Sequence, residues 1–145
     1  MQELPHHYRV SAVAGPEGDV SLSADRLDSI PSASPIEFGG PGNRWSPESL
    51  LVAAVADCFI LTFRAVARAS KFSWASLECS AEGTLEQSDG TTRFTTFVIN
   101  AELAVPQGTR EEKAYRLLEK AEANCLVTSS LSGTTHLNAV VSMLP

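Results

Sequence analysis

Three cysteines, Cys58, Cys79 and Cys125, stand at wide spacing and in odd number. That fits neither a secreted disulfide framework nor a set of close metal-ligand pairs. What remains open to them is thiol chemistry. Cys58 falls near the middle of a nearly all-apolar helical segment, and Cys125 on the inward stripe of a second helix; either one alone reads as a small core residue. Two helices that each present an inward thiol carry more meaning, because a sulfenic acid formed on one sulfur is captured by the other as a disulfide. Cys79 sits in an alternating strand and is assigned to packing. Glu48 is a first-turn helix acid, stabilised by the helix dipole. It precedes Cys58 by ten residues, about 15 Å along a helix axis, so one site containing both needs a second chain. Arg44 is a candidate cation for lowering a thiol pKa, against the alternative of a solvated flank. Trp45, Phe59 and Phe63 are candidate walls of an apolar pocket beside Cys58, and otherwise core aromatics together with Trp74. His6, His7 and His136 lack ligand spacing, so no metal site is expected, and no cofactor.

The elements that must position these groups follow from local pattern. Tyr8–Val13 and Val20–Ala24 alternate weakly around Gly15-Pro16-Glu17-Gly18-Asp19, which predicts a hairpin. The stretch from Ser29 to Asn43 is rich in proline and glycine and reads as a loop. Ser46 as cap, Pro47 in the first helical position and Glu48 in the first turn mark a helix start. The apolar run from Leu50 to Ala56, continued by Phe59, Ile60, Leu61, Phe63 and Val66, predicts a helix buried on nearly all sides. Leu77–Leu85 and Phe94–Val105 alternate around Ser88-Asp89-Gly90, predicting a second hairpin. Thr109 and Glu112 have capping-box spacing, and Ala114, Leu117, Leu118 and Ala121 form an amphipathic stripe that ends near Asn124 and Cys125. Thr134–Leu144 reads as a final strand. The order predicts an α+β fold with antiparallel sheets, in one domain spanning residues 1–145.

Composition narrows the partners. Eleven basic against seventeen acidic side chains give a net charge of −6, which supplies no positive footprint for nucleic acid or anionic lipid. With 43% apolar and 19% charged residues the chain lies away from the disordered class. No unbroken apolar run approaches a spanning helix, and the opening Met1–His7 lacks the basic start of a signal peptide. The expectation is a cytoplasmic protein without a membrane partner.

The run Pro47-Glu48-Ser49-Leu50-Leu51-Val52-Ala53-Ala54-Val55-Ala56-Asp57-Cys58-Phe59, followed 67 residues after Cys58 by Cys125-Leu126-Val127-Thr128, resembles the OsmC/Ohr family of osmotically inducible and organic hydroperoxide resistance proteins. The matching pattern of strands and helices covers essentially the whole chain. The resemblance implies an OsmC-like fold, with two central helices in an intertwined homodimer whose sites lie at the subunit boundary. It also implies a thiol peroxidase that reduces organic hydroperoxides in oxidative stress. Cys58 then matches the peroxidatic cysteine, Cys125 the resolving cysteine, and Glu48 the acid that orients an arginine; a dithiol, of lipoyl type, would regenerate the enzyme. Three positions depart from the pattern. Ohr-like members carry the assisting arginine in the first hairpin turn, where this chain has Glu17, and Arg44 is the substitute by chain proximity. Asp57 precedes Cys58 where small residues are usual, and Leu126-Val127-Thr128 stands where Pro-Val-Ser is common. The alternatives are a redox-sensing or ligand-binding protein of low turnover, and an inert dimer with packed thiols.

Overall fold

The computed structural model describes residues 1–145. Its chain divides into two compact units, Met1–Leu50 and Leu51–Pro145.

The first unit is a three-stranded antiparallel sheet, β1 (Ser11–Val13), β2 (Val20–Ser23) and β3 (Ile30–Ser32), in the order β1-β2-β3. The hairpin expected around Gly15–Asp19 is β1-β2, with Gly18 at φ 90° in the turn. β3 lies inside the stretch read as loop. Its Pro31 is tolerated because β3 is an edge strand, where the missing amide costs no ladder bond.

Helix α1 (Pro47–Ala69) starts where the sequence placed it. The Ser49 N–H donates to Ser46 Oγ at 3.0 Å, and the Ser46 N–H donates back to Ser49 Oγ at 2.8 Å. This is a reciprocal capping box with serine in the third helical position, and it satisfies two otherwise orphan donors.

The second unit holds a sheet of β4 (Ser76–Ser88), β5 (Thr91–Val105) and β6 (Thr134–Met143), with β5 central. β4 and β5 form the expected hairpin, turning through Asp89 and Gly90 at φ 51° and 78°. β5 and β6 are parallel, from Thr96↔Thr134 to Val105↔Met143, so the sheet is mixed rather than antiparallel throughout. The reason is the connection: α2 (Glu111–Ala123) and the short α3 (Leu126–Ser129) carry the chain back to the starting edge before β6 begins. Alternate residues of β5, namely Phe97, Ile99, Ala101, Leu103 and Val105, are buried and meet Ala114, Leu117, Leu118 and Ala121 of α2 in one core cluster. The expected capping box of α2 is absent. Thr109 Oγ1 donates to the Pro106 carbonyl at 2.6 Å, closing a turn with Gly108 at φ 83°, and Arg110 takes the cap position without a side-chain bond.

α1 contributes Val55, Phe59, Phe63 and Ala67 to the same core, a single i, i+4 stripe. Its burial is therefore one-sided within the chain, against the expectation of a helix enclosed on nearly all sides; Leu61 stays 51% exposed. By length and composition α1 would also pass for a membrane-crossing helix, with mean hydropathy 2.0. The sequence reading did not anticipate this, because Asp57 interrupts the apolar run.

Candidate functional site: a paired-thiol centre

Within the second unit the fold brings Cys58 and Cys125 together. Cys58 is half-buried on α1, four residues before Thr62, whose Oγ1 lies 3.8 Å from its sulfur. Cys125 is fully buried, at the junction where α2 ends on Asn124 and α3 begins. Cys125 is the N-cap residue of α3, with extended backbone at φ −68° and ψ 116°.

The two sulfurs differ in acidity, and the cause is geometric. Burial pushes the Cys58 thiol up, but hydrogen bonds from the Val127 amide, the Cys125 side chain, Thr62 and the Leu126 amide outweigh it and hold Cys58 below the ordinary thiol value. Donors aimed at the charged form favour it. Cys125 moves the other way. Burial raises it first, and although the Thr128 backbone and hydroxyl oppose this, donation toward Cys58 and the neighbouring Cys58 charge keep it protonated. Cys58 is thus the more acidic sulfur and Cys125 the less acidic one that donates to it, an asymmetry that suits disulfide formation after oxidation. Cys79, on β4, is pushed up to about 11 by burial and by the nearby Cys125, so it is inert as a nucleophile, as its assignment to packing expects.

Every group acting on Cys58 is neutral. Asp57 is exposed and is not among them. Arg44, in the first unit, donates from Nε to Asp19 Oδ2 at 2.9 Å, so its guanidinium already has a carboxylate. Glu48 Oε1 is buried and has no hydrogen-bond partner within the chain. Trp45 lines a cavity of about 300 Å³ in the first unit together with Arg44, Asn43 and Ser49. Phe59 and Phe63 do not wall an open pocket: both are fully buried in the core, and Phe63 packs edge-on against Trp74 at 5.3 Å. Their place on the inward stripe of α1, a helix face away from Cys58, forces this.

Sequence reasoning missed Thr62 and the Leu126 and Val127 amides. Thr62 carried a signal, being the only hydroxyl between Leu50 and Ala69 and one helical turn beyond Cys58. The amides carried none, since any residue but proline supplies one.

Comparison with known proteins settles the kinship. Residues 40–139 match the family described as OsmC-like protein. The chain belongs to that family. As an OsmC-like chain it is 27% identical, over 122 residues and 84% of each chain, to peroxiredoxin OsmC of Escherichia coli. It is 25% identical over 144 residues, 95% of each chain, to the uncharacterized protein YmaD of Bacillus subtilis. Among solved structures, an organic hydroperoxide resistance protein OsmC from Legionella pneumophila superposes with a TM-score of 0.75 at 26% identity, covering 97% of this chain and 99% of that one. An OsmC-like protein of unknown function from Vibrio cholerae gives a TM-score of 0.86 at 16% identity, over 94% and 100% of the two chains. The OsmC-like fold is therefore established, and the names of these relatives support a peroxidase-like role at the level of the family.

Proposed function

We propose that this OsmC-like protein is a thiol-dependent peroxidase that reduces organic hydroperoxides to alcohols. The observation that carries the reading is the asymmetric thiol pair: Cys58 held below the ordinary thiol value by donors that include Cys125, and Cys125 held above it. The Cys58 thiolate attacks the outer oxygen of ROOH, the O–O bond breaks, and RO⁻ leaves and takes a proton as alcohol. Cys58 is then a sulfenic acid. The Cys125 sulfur attacks the Cys58 sulfur, hydroxide leaves and is protonated to water, and a disulfide forms. A dithiol restores both thiols by exchange, and is itself oxidised to a disulfide. Leu61, one helical turn from Cys58, and Leu126, whose amide faces its sulfur, are exposed and supply apolar surface, at about 25 cal/mol per Å² covered, which favours an organic substituent over hydrogen peroxide.

The working form in this reading is a homodimer. The outward face of α1 carries Leu61, 51% exposed, among Asp57, Arg64 and Arg68, and the orphan Glu48 oxygen calls for a donor that the chain itself does not offer. A second copy crossing α1 covers Leu61 and supplies a donor; Arg44 is the candidate cation, sharing its guanidinium between Asp19 and Glu48.

The test is turnover of cumene hydroperoxide and of hydrogen peroxide with dihydrolipoamide as reductant, together with the mass of the protein after one equivalent of peroxide. Faster consumption of the organic peroxide and loss of two hydrogens, mapped to Cys58 and Cys125, are expected. Equal rates for the two peroxides would refute the substrate preference, and an unchanged mass would refute the chemistry. A second reading, a redox sensor of low turnover, draws on the neutral surroundings of Cys58; it predicts the same disulfide at stoichiometric peroxide but negligible cycling.

A further inference from the structure

The second unit holds a cavity of about 350 Å³ that the thiol chemistry does not use. Its walls are apolar: Leu51, Leu85, Phe94, Phe97 and Leu131. The Phe94 and Phe97 rings are stacked with centroids 5.4 Å apart and form one side. The loop bearing Leu131 and Ser132 is drawn down onto β5 at Gly133, where a Cβ would meet the Phe94 carbonyl oxygen at 3.0 Å and the Thr95 carbonyl at 3.1 Å. Only glycine allows that approach without a shift, so the cavity is fixed by backbone packing. At the rim lies one cation, Arg93.

Arg93 is half-buried and has no carboxylate partner. Its Nη1 makes two long contacts, at 3.4 Å to the Phe94 carbonyl and at 3.4 Å to Ser132 Oγ. The acid directly across the strand pair, Glu86, is turned elsewhere: its Oε2 accepts the Thr95 hydroxyl at 2.8 Å. A guanidinium with spare donors beside an apolar cavity fits a ligand that ends in a carboxylate, which it can hold in a charge-assisted, two-pronged contact. The volume suits on the order of ten non-hydrogen atoms, taking about 30 Å³ for each as for water. We propose that this cavity binds an amphipathic carboxylate, an unbranched apolar chain with its acid group on Arg93. The site is independent of whether Cys58 turns over peroxide.

Isothermal titration of the full-length protein with octanoate and with 1-octanol tests this, since the two differ only in the head group. Octanoate is expected to saturate one site per chain and to bind more tightly than 1-octanol. Arg93→Gln is expected to weaken octanoate about tenfold and to leave 1-octanol unchanged. Ser132→Glu, at an exposed rim position, places an internal carboxylate beside Arg93 and is expected to abolish octanoate binding with the fold intact by circular dichroism. Equal affinity for the two ligands, an octanoate affinity untouched by both substitutions, or no binding at all because a second copy fills the cavity would each overturn the proposal.

Discussion

The units Met1–Leu50 and Leu51–Pro145 differ in what they bury. The second packs Val55, Phe59, Phe63, Phe97, Ile99, Leu103 and Leu118 out of water and builds its thiol pair on that base. The first buries only Ser32 and Ser46, both polar, while Tyr8, Val10, Val13, Leu27, Ile36 and Phe38 remain exposed. Strands of three or four residues without an apolar core do not hold a sheet by themselves. The contrast teaches that the two properties are encoded in different places: one unit brings two thiols together from its own parts, and the other leaves its apolar side chains in water.

The largest effect belongs to the self-sufficient unit. If Cys58 alone attacks peroxide, Cys58→Ser removes turnover by at least about a thousandfold, since an uncharged hydroxyl does not replace a thiolate. Cys125→Ser is expected to keep the first oxidation and lose cycling, leaving a sulfenic acid that dimedone traps. Equal loss of the first step in both variants would break the division of labour between the sulfurs.

Next in size is the test of cover. Leu61→Asp puts a charge on the exposed face of α1, where nothing in the chain contacts it closely enough to bury it. In a dimer closed over that face the buried charge costs several kcal/mol, so sedimentation should show dissociation at micromolar protein and a lower Tm. A monodisperse wild-type monomer would refute the dimer, and a mutant that sediments as the wild type does would exclude the Leu61 face of α1 from its interface.

The acidity of Cys58 sharpens the contrast at a smaller scale. Leu126 is the first residue of α3, and Cys125 before it has extended backbone, so a proline fits there without strain. Leu126→Pro removes one amide donor from the Cys58 thiolate, and the pH profile of iodoacetamide alkylation is expected to move upward by about one unit or less. Thr62→Val, which removes the hydroxyl at 3.8 Å, should shift it in the same direction by less. A profile unmoved by both would mean that these neutral donors are not what lowers Cys58.

Much of the second unit was legible in the sequence because local signals there agree with tertiary packing. Period-two alternation marked β5, the Ala114-Leu117-Leu118-Ala121 stripe marked α2, and Asp89-Gly90 marked the turn. Cys58 and Cys125 were legible as a pair because each lies on an apolar helical pattern, although their difference in acidity depends on backbone amides that no residue type announces. The direction of β6 was not legible, since Thr134–Met143 has the same composition whether it runs with β5 or against it, and only the intervening helices decide. The inward turn of Phe59 and Phe63 was missed although a signal existed: Asp57, Arg64 and Arg68, at i, i+7 and i+11, mark the exposed face of α1 opposite the core. Thr109 shows a third limit, because its hydroxyl had a turn carbonyl at Pro106 as near as any helix amide.

The smallest expected effect isolates a thiol that does no chemistry. Cys79 is held at about 11 by burial and by Cys125, so between the ordinary thiol range and pH 11 the folded chain keeps a proton that the unfolded chain has lost. Stability changes with pH in proportion to the protons bound unfolded minus those bound folded. That difference is negative here, so Cys79 contributes a loss of stability as pH rises through this window. Cys58 acts in the opposite sense below it: its lowered value means the folded chain sheds its proton first, and stability rises with pH. Because Cys79 is only half-buried, screening cuts its share to about 1 kcal/mol. Cys79→Ala should therefore flatten the fall in urea midpoint between pH 9 and 11 and leave the rise below pH 9 unchanged, which Cys58→Ala should remove. If Cys79→Ala instead altered the lower limb, the acidity of Cys58 would depend on all three thiols, and the thiol centre could not be described by Cys58 and Cys125 alone.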